Sequence, residues 1–143
     1  MSEQNQAVVR KIIEDYWNEK NPALATELFA ATCSLHTPDG DLHGMKGVAQ
    51  LLDVYASAFP DFRITLEDMV AGGDRVAVRQ SFAGTHKGPL GEIAASGNRI
   101  TLPALVIFRL AGGKVAEAHL LWDRVSLQQQ IGALPRASGQ AAP

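Results

Sequence analysis

The spacing of apolar residues changes once along this chain, and that change constrains the fold more than any other feature. Between residues 8 and 59 the period is near four. Val8, Val9, Ile12, Ile13, Tyr16 and Trp17 recur in pairs, which lines one face of a helix of roughly three to four turns. Asn18 to Asn21 interrupts it, and Asn21-Pro22 restarts a helix with a capping side chain and a proline at its first position. Leu24, Leu28 and Phe29 supply the buried face of this second helix. Cys33 to Thr37 reads as a short extended piece that ends in the turn signal Pro38-Asp39-Gly40-Asp41. A third helix fits Met45 to Ala58, with Val48, Leu51, Leu52, Tyr55 and Phe59 at helical spacing and Pro60 closing it.

From Phe62 the period becomes two. Phe62, Ile64 and Leu66 alternate with Arg63, Thr65 and Glu67, the signature of a half-buried strand. Gly72-Gly73-Asp74 turns the chain, and Val76, Val78, Gln80 and Phe82 alternate again. Gly84 to Asn98 is a long connection containing Gly84, Gly88, Pro89, Gly91 and Gly97. Ile100, Leu102, Ala104, Val106, Phe108 and Leu110 then share one parity of a long strand, Gly112-Gly113 makes a hairpin, and Val115 to Asp123 is the last strand. Leu127 to Ile131 reads as a short helical turn, and the Ala/Gly/Ser/Pro-rich tail from Pro135 to Pro143 as disordered. Helices first and hairpin-linked strands afterwards is an α+β pattern, with helices on one face of a mostly antiparallel sheet, in a single domain over residues 1–134. The glycines never form GxGxxG after a strand, nor GxxxxGK[ST], which argues against a nucleotide-phosphate site.

Composition narrows the function classes. Lys plus Arg number 13 against 15 Asp plus Glu, for a net charge of −2; that balance lacks the basic surface on which nucleic-acid binding relies. Apolar residues are 46% of 143, enough for a core that removes about two-thirds of the unfolded surface from water. Cys33 is the only cysteine, so an intrachain disulfide, a thiolate zinc cluster and a CxxC redox pair are excluded, and its simplest role is as a small buried hydrophobe. Met1 to Gln6 is polar without a basic and apolar leader pattern. No run reaches the ~18 apolar residues of a membrane span. The expectation is a cytoplasmic protein with neither nucleic-acid nor membrane partners.

A sheet curling around helices leaves a conical cavity, and such apolar concavities with a few polar groups favour small ligands. On the last strand Glu117, His119, Leu121 and Asp123 share one parity, and Ala116, Ala118, Leu120 and Trp122 the other. His119 and Asp123 would stand about 13 Å apart on one face, too far to bond but able to flank one ligand. Asp123, ending an apolar strand beside Trp122, is a candidate base if it is buried without a cation. Equally, it can cap the helix carrying Leu127 or pair with Arg124. His36, His43 and His86 each fit a hydrogen-bonded structural role as well as a site role. No pair of histidines has helical HxxxH spacing, so a histidine metal site would have to be assembled across strands, and no metal is expected. Arg79 and Gln80 have opposite parities in an apolar strand, so one of them faces the interior or an interface. Tyr16 could offer its phenol to a developing enolate, while packing explains it equally. Trp17 and Tyr55 read as core or pocket wall.

Taken together, these segments resemble the NTF2-like superfamily and, within it, the SnoaL-like polyketide cyclases and ester cyclases. The resemblance covers about residues 8 to 132. Its pieces are Tyr16-Trp17-Asn18, Phe59-Pro60-Asp61-Phe62, Gly73-Asp74-Arg75-Val76-Ala77-Val78-Arg79 and Gly84-Thr85-His86-Lys87-Gly88, then Gly113-Lys114-Val115-Ala116-Glu117, Trp122-Asp123 and Leu127-Gln128-Gln129-Gln130-Ile131-Gly132. It implies a cone-shaped α+β barrel that dimerises through the outer sheet face. It also implies that Asp123, at the end of the last strand, is a general base in an intramolecular aldol closure needing no metal or organic cofactor. His119 and His86 would assist it. His36, Tyr16, Trp17, Tyr55, Phe59, Arg79 and Trp122 would surround a small hydrophobic carbonyl ligand. Two departures stand out: the family's Glu-His-Trp is Glu117-Ala118-His119 here, and its Pro-Pro-Thr-Gly loop is Ala94-Ala95-Ser96-Gly97. A non-catalytic ligand-binding or dimerisation domain is the alternative. Ketosteroid-isomerase-like and epoxide-hydrolase-like sites are incomplete, the first for want of a second inward acid and the second of an Asp-Arg-Asp network.

Overall fold

A computed structural model of the chain describes residues 2–135. The expected disorder of the tail therefore falls, beyond Pro135, outside the described residues. Helix α1 (Ser2–Lys11) runs without a break into a π-helical stretch, Ile12–Trp17. A 3-10 turn (Pro22–Leu24) and a single-turn helix α2 (Ala25–Leu28) follow, with the Asn21 side chain accepting from Ala23 N–H as the cap expected there. Then come β1 (Phe29–Thr37), β2 (Gly40–His43), α3 (Gly44–Ala58), β3 (Arg63–Gly72), β4 (Arg75–Thr85), β5 (Arg99–Ala111), β6 (Lys114–Trp122) and α4 (Arg124–Gln130).

The strands form one six-stranded sheet in the order β2-β1-β6-β5-β4-β3. All pairings are antiparallel except β1 with β6. The α+β expectation holds, with three differences of detail. Phe29 begins β1 rather than ending a helix, because it is drawn into register with Val115 of β6. The strand β2 has no apolar alternation and was not expected; its backbone simply pairs back on β1 through the Pro38-Asp39 turn. The first helix widens to π geometry over its last six residues, a local irregularity frequent at functional sites.

Two amide side chains close free strand edges. Asn18 accepts from Ile64 N–H (2.7 Å) and donates to Ile64 C=O (2.9 Å), so the first helix ends by occupying one residue's worth of the β3 edge. Gln130 does the same for Thr101 of β5, at 2.9 and 3.0 Å, where β6 has already ended. Filling edge donors and acceptors in this way satisfies the backbone and blocks pairing with other chains. The segment after β4 is held equally firmly. Lys87 and Gly88 N–H groups both bond Ala58 C=O at the end of α3, while Gly97 N–H bonds His86 C=O. Gly88 has to be glycine, because a Cβ there would lie 2.1 Å from Ser57 O.

The concave face carries the core. β5 is buried at every even position from Ile100 to Leu110 and exposed at Thr101, Pro103, Leu105 and Ile107. Bulges between Leu66 and Asp68 on β3, and opposite Arg109/Leu110 on β6, shift strand parity and bend the sheet. The second explains why Val115 and Ala118 both point inward despite their odd spacing. Cys33 is fully buried, the place expected of a small hydrophobe. No helix of the described residues is long and apolar enough to cross a membrane.

Candidate functional site: an apolar cone with one free amide

Helices and sheet do not meet everywhere. Between them lies a cavity of about 70 Å³, several times the roughly 10–15 Å³ that one water molecule needs on the same measure. The helical side supplies Ile13 and Trp17 from the π-helical stretch, Val48, Leu51 and Tyr55 from α3, and Leu127 from α4. The sheet side supplies Gln80 and Phe82 from β4, alternate residues of β5, and Ala118, Leu120 and Trp122 from β6. Phe59 closes the wall behind α3, in edge contact with Phe82 at 5.5 Å between ring centroids. Such a wall favours an apolar occupant, since burial is worth about 25 cal/mol per Å² of apolar surface removed from water.

Polar atoms in this wall are few. Gln80 is the one lining residue with an amide side chain, and that amide has no hydrogen-bond partner among the described residues. Neighbouring Arg79 points the other way and pairs with Asp68 at 2.7 Å on the outer face. The alternation on β4 thus settles which of the two faces inward. Tyr55 donates its hydroxyl to Asp39 Oδ2 (3.1 Å), and Arg124 holds the other oxygen of Asp39 at 2.7 Å. Burial pushes the Tyr55 phenol pKa upward, with the Asp39 charge adding to it, so the group stays protonated and a donor. Trp122 packs edge-on to Tyr55, and its buried indole N–H has no partner among the described residues.

Of the ligand-binding residues expected from sequence, Trp17, Tyr55, Phe59 and Trp122 line the cavity. Tyr16 does not: it is fully buried one layer behind, its hydroxyl donating to Val48 C=O at 3.3 Å, and burial raises its pKa to about 12. His36 and Arg79 lie on the outer face of the sheet. Gln80, which sequence parity left level with Arg79, is the inward polar group.

The three expected catalytic residues stand apart from the cavity wall and from one another. Asp123 is exposed and accepts from Ser126 N–H at 3.0 Å as the N-cap of α4. Arg124 pairs with Asp39 rather than with Asp123. His119 is exposed on the outer face, because Ala118, Leu120 and Trp122 take the inward parity of β6. His86 is fully buried beyond Phe59, with ring centroids 5.4 Å apart. Its Nδ1 accepts from Ser96 N–H at 3.1 Å, which places the proton on Nε2, and that nitrogen has no partner among the described residues. Burial lowers the His86 pKa.

A second polar cluster, which the sequence did not mark as one, sits on the outer face. His36 contacts Glu117 Oε2 through Nε2 (2.9 Å) and Asp41 Oδ1 through Nδ1 (3.0 Å), and its ring stacks on His119 with centroids 4.4 Å apart. The hydrogen bond to Glu117, followed by that to Asp41, raises the His36 pKa, and the same contact with His36 lowers that of Glu117.

The comparisons with known proteins agree with this architecture. Among solved structures, a candidate SnoaL-like polyketide cyclase from Jannaschia sp. CCS1 superimposes with a TM-score of 0.86 at 22% identity, covering 94% of this chain and 95% of its own. TsrD from Streptomyces laurentii matches at 0.82 with 27% identity, over 92% of this chain and 96% of its own. IdmH from Streptomyces antibioticus, a candidate polyketide cyclase, matches at 0.78 with 25% identity, over 90% of this chain and 99% of its own. No curated protein matches the sequence. The family model for SnoaL-like polyketide cyclases spans residues 7–131. From its first helix to the end of α4, this chain belongs to the SnoaL-like polyketide cyclase family.

Proposed function

We propose that the cone binds a small, mostly apolar carbonyl compound whose polar atom is recognised by Gln80. The observation that carries this reading is the free carboxamide of Gln80 in an otherwise aromatic and aliphatic wall. A carboxamide offers a donor to a carbonyl and an acceptor to a hydroxyl, and one such group in an apolar pocket fixes orientation while the wall supplies affinity. α-Tetralone and its hydrocarbon counterpart tetralin provide the test. The wild-type protein should bind the ketone about 2- to 12-fold more tightly, the worth of one hydrogen bond of roughly 0.5–1.5 kcal/mol. Gln80→Leu should erase that preference while retaining tetralin. A wild-type preference for the ketone retained in Gln80→Leu would remove Gln80 from the site.

A cyclase-like acid–base reaction, an intramolecular aldol closure with Asp123 as base and no cofactor, is the second reading. Family membership and one position favour it: Asp123 directly follows Trp122, which lines the cavity. In this reading the carboxylate leaves Ser126 N–H and turns toward the ligand, with the Gln80 amide stabilising the enolate oxygen. Asp123→Asn then abolishes turnover without weakening ligand binding; an undiminished rate in the variant removes Asp123 as the base, and no turnover in the wild type leaves binding alone as the function.

The outer face supports a homodimer. Leu105, Ile107 and Leu121 are 54%, 46% and 65% exposed and adjoin one another across β5 and β6. An apolar sheet patch of this kind is a contact surface or an aggregation liability. Leu121→Glu should convert the species measured by sedimentation from dimer to monomer; a wild-type monomer at micromolar concentration would refute the assignment. A soluble cytoplasmic setting completes the proposal.

A further inference from the structure

We propose that His36, Glu117 and His119 form a binding site for a divalent transition-metal cation of the zinc class on the outer face of the sheet. The site is separate from the cone, owes nothing to the ligand proposed there, and borders the apolar patch of the outer face, where His119 stands opposite Ile107. It is assembled across strands, which is why no spacing in the sequence marks it. Parallel pairing of β1 with β6 sets His36 opposite His119 and Ser34 opposite Glu117. The two-residue period of β6 then brings Glu117 and His119 to the same face as His36.

One ligand atom from each of the three side chains lies within 4.8 Å of the other two. Metal–nitrogen distances of about 2.0–2.1 Å and metal–oxygen distances of about 2.0–2.2 Å put ligand atoms roughly 3.3 Å apart in tetrahedral geometry. Closing the gap requires the stacked rings of His36 and His119 to turn out of parallel, so that one in-plane nitrogen of each faces the ion; within one chain the His36 and Glu117 side chains are 29% and 31% exposed and His119 is exposed. Two imidazoles and one carboxylate suit zinc, cobalt or nickel and leave coordination positions for water.

Asp41 supplies the outer shell. Its contact with His36 Nδ1 at 3.0 Å is the carboxylate–histidine arrangement that holds a proton on one ring nitrogen and directs the other at a metal. Arg109 is the opposing influence, with Nε 3.5 Å from Glu117 Oε1, but Glu117 Oε2 is the oxygen that faces His36. A plain surface network would use His36 as a bridge between Asp41 and Glu117, with His119 only stacked on the His36 ring. The metal reading needs His119, and that difference is testable.

Untagged full-length protein is titrated with Co²⁺, followed by its visible absorption, and with Zn²⁺ by calorimetry. One saturable equivalent per chain is expected. His119→Ala and Glu117→Gln should each weaken it at least about 10-fold, and Asp41→Asn should fall within the roughly 10- to 100-fold loss typical of an outer-shell partner. His43→Ala, whose ring instead contacts Ser34 Oγ at 3.2 Å, should leave the affinity unchanged. In parallel, imidazole resonances of wild-type His36 and His119 should shift together on adding Zn²⁺, a readout independent of any variant's folding. Absence of saturable binding, undiminished affinity in His119→Ala and Glu117→Gln, or shifts at other histidines alone would overturn the site.

Discussion

Replacing Asp123 by alanine and by asparagine separates its structural role from its charge. The carboxylate accepts from Ser126 N–H at 3.0 Å, satisfying one of the unpaired donors that begin α4. That helix is short, and it holds Leu127 and Ile131 against the core, with Leu127 also lining the cavity. Loss of an N-cap of this kind costs about 1 kcal/mol, within a range of roughly 0.5–2. For a domain of this size that lowers Tm by about 3–5 °C. Asparagine caps as well as aspartate does. Asp123→Asn should therefore melt within about 1 °C of wild type, and Asp123→Ala several degrees lower. Thermal denaturation by circular dichroism reads both, with tetralone binding measured alongside. If Asp123→Ala melts with the wild type, the carboxylate does not cap α4 in solution, and its reading as a helix cap would be refuted.

Other expectations follow from the same contacts. Gly88→Ala would drive a Cβ to 2.1 Å from Ser57 O and disturb the end of α3, so it should cost about 3 kcal/mol by urea denaturation. Asn18→Ala strips the β3 edge of both bonds to Ile64 and should cost about 1–3 kcal/mol, with faster amide exchange at Ile64 as its marker. Because burial lowers the His86 pKa below its unfolded value near 6.5, the unfolded chain binds the extra proton first. The His86 contribution to stability is therefore complete above about pH 6.5 and declines as pH falls through that value toward the folded pKa. His86→Asn should flatten the profile below pH 6.5; an unchanged acid slope would assign it to other groups.

Much of the fold is legible in the sequence because burial of one face imposes its period on the residues. The change from near four to two separates the helices from β3 to β6, and the even-numbered row of β5 faces inward as its pattern demands. Phe29 fits either element locally, because helix and strand both accept a large apolar residue at that point, and only distant Val115 decides between them. The strand β2 carried no signal, since Gly40–His43 is a polar segment paired only on one side. Site residues divide along the same line. Trp17, Tyr55, Phe59 and Trp122 reach the cavity because apolar stripes point where packing sends them. The polar candidates could not be placed this way: a histidine fits a buried niche such as that of His86 or an outer row such as that of His119. Asp123 carried both of its readings in one short run, ending a strand and preceding a helix by one residue. The meeting of His36 with His119 depends on the one parallel pairing in the sheet, which local spacing does not encode.

Whether the apolar cone holds the ligand with Gln80 as its polar contact is decided by the structure of a ketone complex. Crystals or NMR samples with saturating α-tetralone should place the ring between Trp17, Phe82 and Leu120, with the carbonyl oxygen about 2.9 Å from Gln80 Nε2. A ketone found instead on the outer sheet face, or a cone still empty at saturation, would contradict it.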